Sequence, residues 1–600
     1  MKPPGIFYQL LQKEVISVVE FEFVRFLLQL DNSTNQEVLL AAAACVHAQL
    51  NGHVCLDIAQ FSSGYLFNDP ESNIQLTESL RDKWLRILGE SAVVSNNGTL
   101  QPLVLEDDHL YLHRFWKYEQ ELAGWIREKS AKIEKPDKTA VNAIEKIIGE
   151  RISGELNWQH VALCLSFLKN LVVISGGPGT GKTFTVLNII VAHAHRHKEK
   201  KYRVALAAPT GKAARRLAES ISSGKENLPK SLGAGLEISD SALTVHKLLG
   251  SDFQGVNFKF NEQNKLPYDL VVVDEASMLD ITMWIRLVRA IHADTKLIVL
   301  GDKDQLASVE AGSILGDICR GENSFSQVLG KSVLDLTGMK VPEVKNLPAI
   351  NDSVVFLTRS YRFQEKSGIG KLAVAINNSD AETAITLLED PDYPDVKLLE
   401  PTSENMDMVI RNFASDHFQN YRKTREGERL AASNQKKILC ALRRGPFGVE
   451  FINTKAEQNI KRELPDFNKQ EWYAGRIVMA KRNDGILKIR NGEIGICLGR
   501  ENRLVQFEGE NKMSISAGRL KEYERAYALT IHKSQGSEFD EVAIVLPSTV
   551  NLILSKEILY TSVTRARRAA LVIGNKNIIR HTIKNSVARS SRLGKLIWKK

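Results

Sequence analysis

The amino-acid sequence predicts an α/β fold with two parallel-sheet domains, and three observations support this prediction. Short apolar runs alternate with helix-like stretches from about residue 155 to 320, and the alternation resumes in the second half of the chain. Residues 176–183 read GGPGTGKT, a phosphate-binding loop between an apolar run and a helix-like stretch. The 600 residues also exceed what one hydrophobic core can serve, so several domains are expected.

Residues 1–130 contain no nucleotide-binding motif and are predicted to form a separate N-terminal domain. The run 39–50, LLAAAACVHAQL, is typical of a buried helix, and a turn and a short strand are expected to follow it. Residues 129–138 are charged and contain a proline, so they are a candidate linker to the next domain.

Residues 140–340 are predicted to form the first nucleotide-binding domain. Its expected parallel strands are Leu171–Ser175, Val204–Ala208, Leu270–Val273 and Leu297–Leu300. Each run ends at a polar cluster, and in such sheets the ligand binds at the carboxyl ends of the strands. The motifs that carry chemistry are therefore expected to meet at one edge of the sheet.

The phosphate-binding loop is the strongest single motif. Its glycines allow backbone N–H groups to surround phosphate oxygens at the start of a helix. Lys182 is expected to reach the β- and γ-phosphates, and the Thr183 hydroxyl to hold Mg²⁺. A glycine-rich turn without a ligand is the alternative, which the strand–loop–helix context disfavours. The predicted ATP-binding residues of the loop are Gly176, Gly177, Pro178, Gly179, Thr180, Gly181, Lys182 and Thr183.

Polar side chains follow the next predicted strands. Asp274 is placed to bind Mg²⁺ beside Thr183, and Glu275 to orient the attacking water as a general base. Gln305 has the reach and chemistry of a γ-phosphate sensor. Alone, an Asp-Glu pair is more often a solvated loop, and the segment around Gln305 is weak evidence. The phosphate loop about 90 residues upstream favours the catalytic interpretation.

Residues 341–600 are predicted to form the second parallel-sheet domain, with the alternation restarting near Val354. The runs that indicate it are Ile438–Ala441, Ala526–Leu529, Val542–Leu546 and Ala570–Ile573. Residues 465–522 differ, because short runs around an Asn-Gly turn are typical of antiparallel strands. We therefore predict a small β-barrel inserted into the second domain.

Two arginines far from the phosphate loop in sequence are candidates for contacts to the γ-phosphate. Arg362 lies in a Ser-Tyr-Arg-Phe segment, and Arg565 ends a helix-like stretch. An arginine that reaches the γ-phosphate from another domain stabilises transition-state charge, worth on the order of 10³–10⁵ in rate. An isolated arginine is more often a surface charge. The occurrence of these two arginines together with the other motifs favours a γ-phosphate contact for each of them.

The composition is ordinary for a soluble globular protein, with 43% hydrophobic and 25% charged residues. The net charge of +9 permits a polyanionic partner, but a charge that only serves solubility explains it equally well. Six dispersed cysteines without a C-x-x-C pair make a disulfide framework or a zinc site unexpected. Neither a signal-peptide core nor an apolar run long enough to span a bilayer is present, so a cytoplasmic location is expected.

In order along the chain, the motifs resemble those of superfamily 1 DNA helicases. The set is LNWQ at 156–159, GGPGTGKT at 176–183, APTGKAA at 208–214, DEAS at 274–277, GDKDQ at 301–305, YR at 361–362, TIHKSQGSE at 530–538 and VTRA at 563–566. A closer resemblance is to the RecD family, the alpha chains of exodeoxyribonuclease V (the RecBCD enzyme). It rests on LASVEAG at 306–312, SGIG at 367–370, LCALRRGPFG at 439–448 and WYAGR at 472–476. The resemblance covers about residues 150–575, and residues 1–130 match only loosely.

The resemblance implies two RecA-like motor domains, an SH3-like barrel insertion and a mainly helical N-terminal domain that docks on partners. It implies an ATP-dependent 5′ to 3′ helicase that acts on single strands and duplex ends, in a heterotrimer with RecB-like and RecC-like subunits, the nuclease belonging to the RecB-like partner. Gln159 would read the adenine edge, and Gln535 and Glu538 would link the nucleotide to the strand-binding loop.

The resemblance also favours DNA contacts for polar residues of three segments, one that follows the second predicted strand and two that lie on loops. Hydroxyls, imidazoles and ammonium groups on loops suit the phosphates and exposed bases of a single strand. His246 and His532 have the alternative of capping a helix or lying in the core. The candidates are Thr210, Gly211, Lys212, Thr244, His246, Thr530, His532, Lys533 and Ser534.

Three other functions are considered. A stand-alone RecD-like helicase would lack the nuclease partners, and a P-loop switch or loader would not need the second α/β domain. A nuclease site on this chain would have to use PDYPDVK at 391–397, which we interpret as a loop because its carboxylates are too close in sequence. The basic stretch 195–201 is expected to be a solvated helix end, and the basic tail 589–600 to be disordered or to dock elsewhere.

Overall fold

The computed structural model describes the chain except residues 1, 32, 62–63, 97, 149–155, 198–201, 227–240, 253–254, 364–365, 465–469, 500–502, 509–513 and 600. The described residues form four sheets, two of them all parallel, so the predicted α/β fold is confirmed. In the described part of the chain, no helix is both long and apolar enough to cross a bilayer.

The N-terminal domain combines helices with a four-stranded sheet of order β1-β4-β3-β2. Helix Gln36–Leu50 matches the predicted buried helix and is buried from Val38 to Val46, because alanine side chains let other elements pack on all of its sides. The strands are β1 Leu56–Asp57, β2 Val94–Ser95, β3 Leu103–Glu106 and β4 His109–Leu112, and the other helices are Gly5–Gln12, Val18–Leu30 and Glu78–Glu90.

Helix His113–Ala131 joins this domain to the first motor domain. Its buried residues Leu122 and Ile126 share a hydrophobic core with the motor helix Ile281–Ala290, so the helix belongs as much to the motor domain as to the predicted 1–130 unit. The candidate linker is correspondingly anchored: Lys169 Nζ donates to the Ser130 carbonyl at 2.7 Å.

The first motor domain has a six-stranded parallel sheet of order β10-β5-β9-β8-β6-β7. All four predicted strands are present within one or two residues of their expected bounds. The strands are β5 Leu171–Gly176, β6 Val204–Ala208, β7 Leu243–Thr244, β8 Leu270–Val273, β9 Lys296–Gly301 and β10 Val354–Leu357. The helices are Lys138–Ile148, Trp158–Leu168, Lys182–Arg196, Gly211–Glu226, Val245–Leu248, Ile281–Ala290, Ile314–Ile318 and Gln327–Thr337.

Strand β10 corrects the predicted boundary at residue 340/341. The alternation near Val354 was assigned to the second domain, but β10 pairs in parallel with β5 from Val354–Val173 to Leu357–Gly176. The apolar period identifies a strand without identifying its sheet. As a consequence, Arg362 follows a strand that lies directly beside the phosphate loop.

The second motor domain has a five-stranded parallel sheet of order β11-β20-β19-β12-β18. The predicted strands are again present, and β11 was not predicted. The strands are β11 Val396–Leu399, β12 Lys436–Cys440, β18 Ala528–Thr530, β19 Phe539–Val545 and β20 Ala566–Ile573. The helices are Gly368–Asn377, Ala381–Glu389, Ser403–Ile410, Asp416–Arg422, Arg429–Ser433, Val449–Glu463, Lys556–Val563 and Lys576–Lys584.

The acidic segment before β11 has a structural role. Asp395 accepts hydrogen bonds from Ser367 Oγ at 2.9 Å and from the Gly368 and Ile369 amides at 2.9 and 3.1 Å, so it caps helix Gly368–Asn377. Residues 391–395 form a loop, as expected, although Val396 and Lys397 already begin the strand.

The predicted insertion is a five-stranded antiparallel sheet of order β16-β15-β14-β13-β17. Its strands are β13 Ile477–Ala480, β14 Ile494–Cys497, β15 Leu504–Phe507, β16 Ser514–Ser516 and β17 Tyr523–Arg525. The sheet therefore extends three residues beyond the expected end at 522, and the expected start at 465–469 lies outside the described residues. Its closure into an SH3-like barrel remains a prediction.

Of the two expectations for the basic tail, disorder or docking, the described residues 589–599 agree with docking. Helix Leu593–Ile597 buries Leu593 and Ile597 in the core of the first motor domain, and the Ser590 carbonyl accepts a bond from the Val54 amide at 2.9 Å. Residues 589–598 thus leave the second domain and pack against the other two. Three apolar residues that stand among the basic ones in the sequence drive this docking: Leu593, Leu596 and Ile597.

Substituting Arg592 tests this docking. Its guanidinium is 7% exposed and pairs with Glu106 at 2.9 Å and with Asp107. Arg592→Ala removes the ion-pair partner of both carboxylates, so we expect a loss of about 1–3 kcal/mol and a thermal midpoint lower by several degrees. Lys595→Ala, on the exposed side of the same helix, is the control. An unchanged midpoint for Arg592→Ala would contradict the docked tail.

Candidate nucleotide site and nucleic-acid channel

The segment 176–183 forms a phosphate loop between β5 and helix Lys182–Arg196. Gly179 and Gly181 have φ values of 77° and 83°, a left-handed conformation that favours glycine. Lys182 Nζ donates to the carbonyl oxygens of Gly176 and Gly177 at 2.6 and 3.1 Å. The ammonium therefore sits over the loop, where phosphate oxygens are expected.

A cavity of about 220 Å³ opens beside this loop, between the two motor domains. It brings together most of the predicted ATP-site residues, from segments hundreds of residues apart. The predicted residues that line it are Pro178, Gly179, Thr180, Gly181, Lys182, Thr183, Asp274, Glu275, Gln305, Arg362, Glu538 and Arg565. Gly176 and Gly177 lie behind the loop and contribute the carbonyls that hold Lys182.

Asp274 and Glu275 follow β8 at the cavity floor. Burial and the neighbouring Glu275 raise the pKa of Asp274 to about 6, and Lys182 opposes the rise. Glu275 has a φ of 52°, an unusual conformation for a residue other than glycine. Asp274 and Glu275 line the same cavity as Thr183, and these three side chains are a donor set that fits a Mg²⁺ ion, because a divalent cation offsets the repulsion between neighbouring carboxylates.

Gln305 connects the cavity to the second domain. Its Nε2 donates to Asp302 Oδ2 at 3.0 Å, and Tyr560 Oη donates to the same oxygen at 2.9 Å. The next residue, Leu306, donates its amide to Thr561 Oγ1 at 2.9 Å and accepts a bond from Gln535 Nε2 at 2.8 Å. Gln535 thus contacts the loop that carries Gln305, and this loop is bonded directly to the second domain.

Glu538 is the meeting point of the arginines. It pairs with Arg216 and Arg362, each at 2.7 Å, and with Arg567 at 3.2 Å. Burial raises the pKa of Glu538, but the charges of Arg216 and Arg362 outweigh this effect and hold the pKa well below its usual range. Arg565 is 3% exposed and donates to the carbonyls of Ser537 and Thr561 at 3.1 and 3.2 Å. These bonds hold its side chain at the cavity wall.

Gln159 lies on the opposite side of the phosphate loop. Its side-chain Nε2 donates to the Thr180 carbonyl at 3.0 Å, and its backbone N–H donates to Asn157 Oδ1 at 2.9 Å. Tyr361, which donates its amide to the Gly179 carbonyl at 2.7 Å, leaves its ring 58% exposed at the same end. Of the Tyr361-Arg362 motif, the sequence predicts Arg362 as a site residue, and the structure adds Tyr361.

A second cavity, of about 1100 Å³, lies between the first motor domain and the inserted sheet. The predicted DNA-contacting residues Thr210, Gly211, Thr244 and His246 line it. The inserted sheet contributes basic side chains to the opposite wall, and the Cδ of Arg490 lies 2.5 Å from where a Cβ on Gly211 would be. The absence of a side chain at 211 therefore allows this close approach.

The other DNA candidates are placed differently. Lys212 pairs with Glu508 of the insertion at 3.7 Å, and burial lowers its pKa. Lys533 pairs with Glu524 at 2.7 Å, and Ser534 Oγ donates to the Ile531 carbonyl inside its own turn. Lys533 and Ser534 belong to segment 530–534, together with Thr530 and His532. Among the described residues, none of this segment lines the large cavity.

Three known families match separate parts of the chain. Residues 12–111 match the family described as RecBCD enzyme subunit RecD, N-terminal domain. Residues 159–311 match an AAA domain, and residues 525–573 match the UvrD-like helicase C-terminal domain.

The chain is also similar to individual proteins. The chain is 33% identical to the RecBCD enzyme subunit RecD of Buchnera aphidicola subsp. Acyrthosiphon pisum, over 95% of this chain and 97% of that protein. It is 31% identical to the ATP-dependent RecD2 DNA helicase of Deinococcus radiodurans, over 66% of this chain and 46% of that protein. The solved Bacteroides Pif1 helicase with ADP-AlF3 and ssDNA is 18% identical with a TM-score of 0.34, over 67% of this chain and 88% of that one.

Two parallel-sheet motor domains around a phosphate-loop cleft, together with these matches, define an ATP-dependent DNA helicase. Within that class, the chain belongs to the RecD family.

Proposed function

We propose that ATP hydrolysis in the inter-domain cavity drives this chain along single-stranded DNA in the 5′ to 3′ direction. The observation that supports this most directly is the shared cavity wall. Lys182 and Asp274 come from the first motor domain, and Glu538 and Arg565 from the second. A ligand with a triphosphate would contact both domains at once, so its binding and hydrolysis favour closing and opening of the cleft.

The proposed roles follow from the positions of the side chains. Lys182 binds the β- and γ-phosphates, and Glu275 orients the attacking water. Thr183 and Asp274 would hold Mg²⁺, which when bound supplies charge neutralisation for the phosphates. Gln305 senses the γ-phosphate and transmits its loss through the contacts of Leu306.

The remaining groups complete the nucleotide site. Arg362 and Arg565 stabilise charge on the transferred phosphate. Gln159 reads the adenine edge, and the exposed Tyr361 ring next to it offers a stacking surface for the base. Gln535 and Glu538 connect this site to residues 530–534, which precede them in the chain and are the proposed DNA contacts of the second domain.

The large cavity is the proposed path of the DNA strand. Thr210, Gly211, Thr244 and His246 face the basic side chains of the inserted sheet across it. Hydroxyls and backbone N–H groups suit phosphates, and guanidinium groups suit both phosphates and bases. Lys212 is proposed to join this path when Glu508 releases it, and residues Thr530, His532, Lys533 and Ser534 to contact the strand on the second domain.

We further propose that the chain works as the motor subunit of a RecBCD-type complex, with RecB-like and RecC-like partners, on duplex ends in the cytoplasm. The support is the relatives named RecBCD enzyme subunit RecD and the N-terminal match at 12–111. Helix Val18–Leu30 also exposes apolar side chains, including Val19 at 55% and Phe26 at 44%, which suit a protein interface.

Co-purification tests the assembly. The tagged chain, expressed with the RecB-like and RecC-like proteins of its own source, is expected to retain both, and a Val19→Glu/Phe26→Glu variant is expected to lose them. Leu100→Glu, at a residue that is 88% exposed outside this helix, is the matched control. An active monomer that retains neither partner would instead support a stand-alone RecD-like helicase.

A further inference from the structure

Helix Gly211–Glu226 presents two consecutive arginines to two different cavities. Arg216 lines the inter-domain nucleotide cavity, and Arg215 lines the large cavity next to the inserted sheet. Successive helical residues point about 100° apart, so one helix can face both cavities without bending. Both arginines follow the Gly211-Lys212 motif in the sequence, and neither is among the predicted site residues.

Arg216 crosses the boundary between the motor domains. Its Nη2 lies 2.7 Å from Glu538 Oε2, and its Nη1 donates to the Gly536 carbonyl at 3.0 Å. The helix belongs to the first domain and both acceptors to the second. Apart from Arg216, Glu538 also pairs with Arg362 and Arg567. One carboxylate therefore forms ion pairs with three guanidinium groups.

The charges in the cavity suit a phosphate near Arg216. Lys182, Arg216, Arg362 and Arg565 bring positive charge to its wall, and Asp274, Glu275 and Glu538 bring negative charge. Asp274 and Glu275 are assigned to the metal and the attacking water, which leaves Glu538 as the carboxylate that balances the arginines. A carboxylate and a phosphate oxygen bind a guanidinium in the same geometry.

We propose that Arg216 is a nucleotide-binding residue that exchanges Glu538 for the γ-phosphate of ATP, a role that rests on the proposed ATP site. In the nucleotide-free protein, Arg216 ties the first domain to Glu538 of the second. When ATP binds, the guanidinium turns to the terminal phosphate. The two domains are then linked through the nucleotide instead of through the Arg216–Glu538 ion pair. Because Arg215 is on the same helix and pairs with Glu493 of the inserted sheet at 3.3 Å, this exchange also couples the nucleotide to the DNA channel.

Nucleotide selectivity tests this role, because ADP lacks the γ-phosphate. The affinities of Arg216→Ala for ADP and for a non-hydrolysable ATP analogue, both with Mg²⁺, are compared with those of the unaltered protein. We expect the preference for the ATP analogue to fall by about 10- to 100-fold, the effect of losing a hydrogen bond between charged groups, with ADP affinity nearly constant. An unchanged ratio of the two affinities would overturn the proposal.

Four further variants make the result specific. Arg216→Gln keeps the length of the side chain and replaces the alanine variant if that protein fails to fold. Arg580→Ala removes a comparable Arg–Glu pair, with Glu382 at 2.7 Å, inside the second domain, and is expected to keep the ratio. Arg215→Ala is expected to keep the ratio while weakening binding of a single-stranded oligonucleotide. If Lys182→Gln still hydrolysed ATP, the assigned site itself would be wrong, which is distinct from a failure of Arg216 alone.

Discussion

Replacing Lys182 by glutamine is expected to abolish ATP hydrolysis, with kcat lower by on the order of 10³ or more. The ammonium lies over the phosphate loop, held by the carbonyls of Gly176 and Gly177, and it is the positive charge nearest the expected β- and γ-oxygens. Glutamine keeps a hydrogen-bond donor but loses the charge. Steady-state phosphate release in the presence of single-stranded DNA measures the effect.

The fold is expected to survive this change, because Lys182 is only partly buried and forms no ion pair among the described residues. Lys331→Gln, on the exposed side of helix Gln327–Thr337, is the matched control and should keep normal turnover. Normal turnover in Lys182→Gln, with an unchanged thermal midpoint, would show that the phosphate loop is not the hydrolytic site.

Replacing Arg565 by alanine is expected to leave nucleotide binding in place while hydrolysis falls by on the order of 10³–10⁵. The guanidinium is fixed by the carbonyls of Ser537 and Thr561, so its position at the cavity wall does not depend on the nucleotide. Such a group stabilises charge that develops in the transition state more than charge in the ground state. Single-turnover hydrolysis and binding of a fluorescent nucleotide separate the two effects.

Because Arg565 is buried, Arg565→Lys is a useful second variant that retains a positive charge but not the geometry of the guanidinium. It should also hydrolyse slowly. Arg568→Ala, three residues further along and exposed, is the control. Equal losses of binding and hydrolysis in the Arg565 variants would contradict the transition-state role, as would wild-type hydrolysis.

The sequence was sufficient for the parts of the fold that follow from local pattern. The phosphate loop and the carboxylates Asp274 and Glu275 each follow a run that reads as a buried parallel strand, and β5 and β8 are confirmed as such. Since the carboxyl ends of parallel strands meet at one edge, these residues had to converge. Arg565 lies about 290 residues from Glu275, and its position in the same cavity is expected from its grouping with the other motifs and from family resemblance, not from spacing.

Features that depend on tertiary choice were not predictable in this way. The run Val354–Leu357 reads as a strand in either sheet, and only its pairing with β5 assigns it to the first. The tail residues Leu593 and Ile597 dock although the surrounding sequence is basic. Arg216 and Lys212 have carboxylate partners from segments about 300 residues away, Glu538 and Glu508, and no local pattern announces such pairs.

The central claim is that ATP hydrolysis between the two motor domains moves this protein along one DNA strand. Its most direct test is displacement of streptavidin from oligonucleotides that carry biotin at either the 3′ or the 5′ end, with a large excess of competitor strand. We expect ATP-dependent displacement from the 3′ end at a much higher rate than from the 5′ end, and none with Lys182→Gln. DNA-stimulated hydrolysis without displacement from either end would contradict the claim, and faster displacement from the 5′ end would contradict the proposed direction.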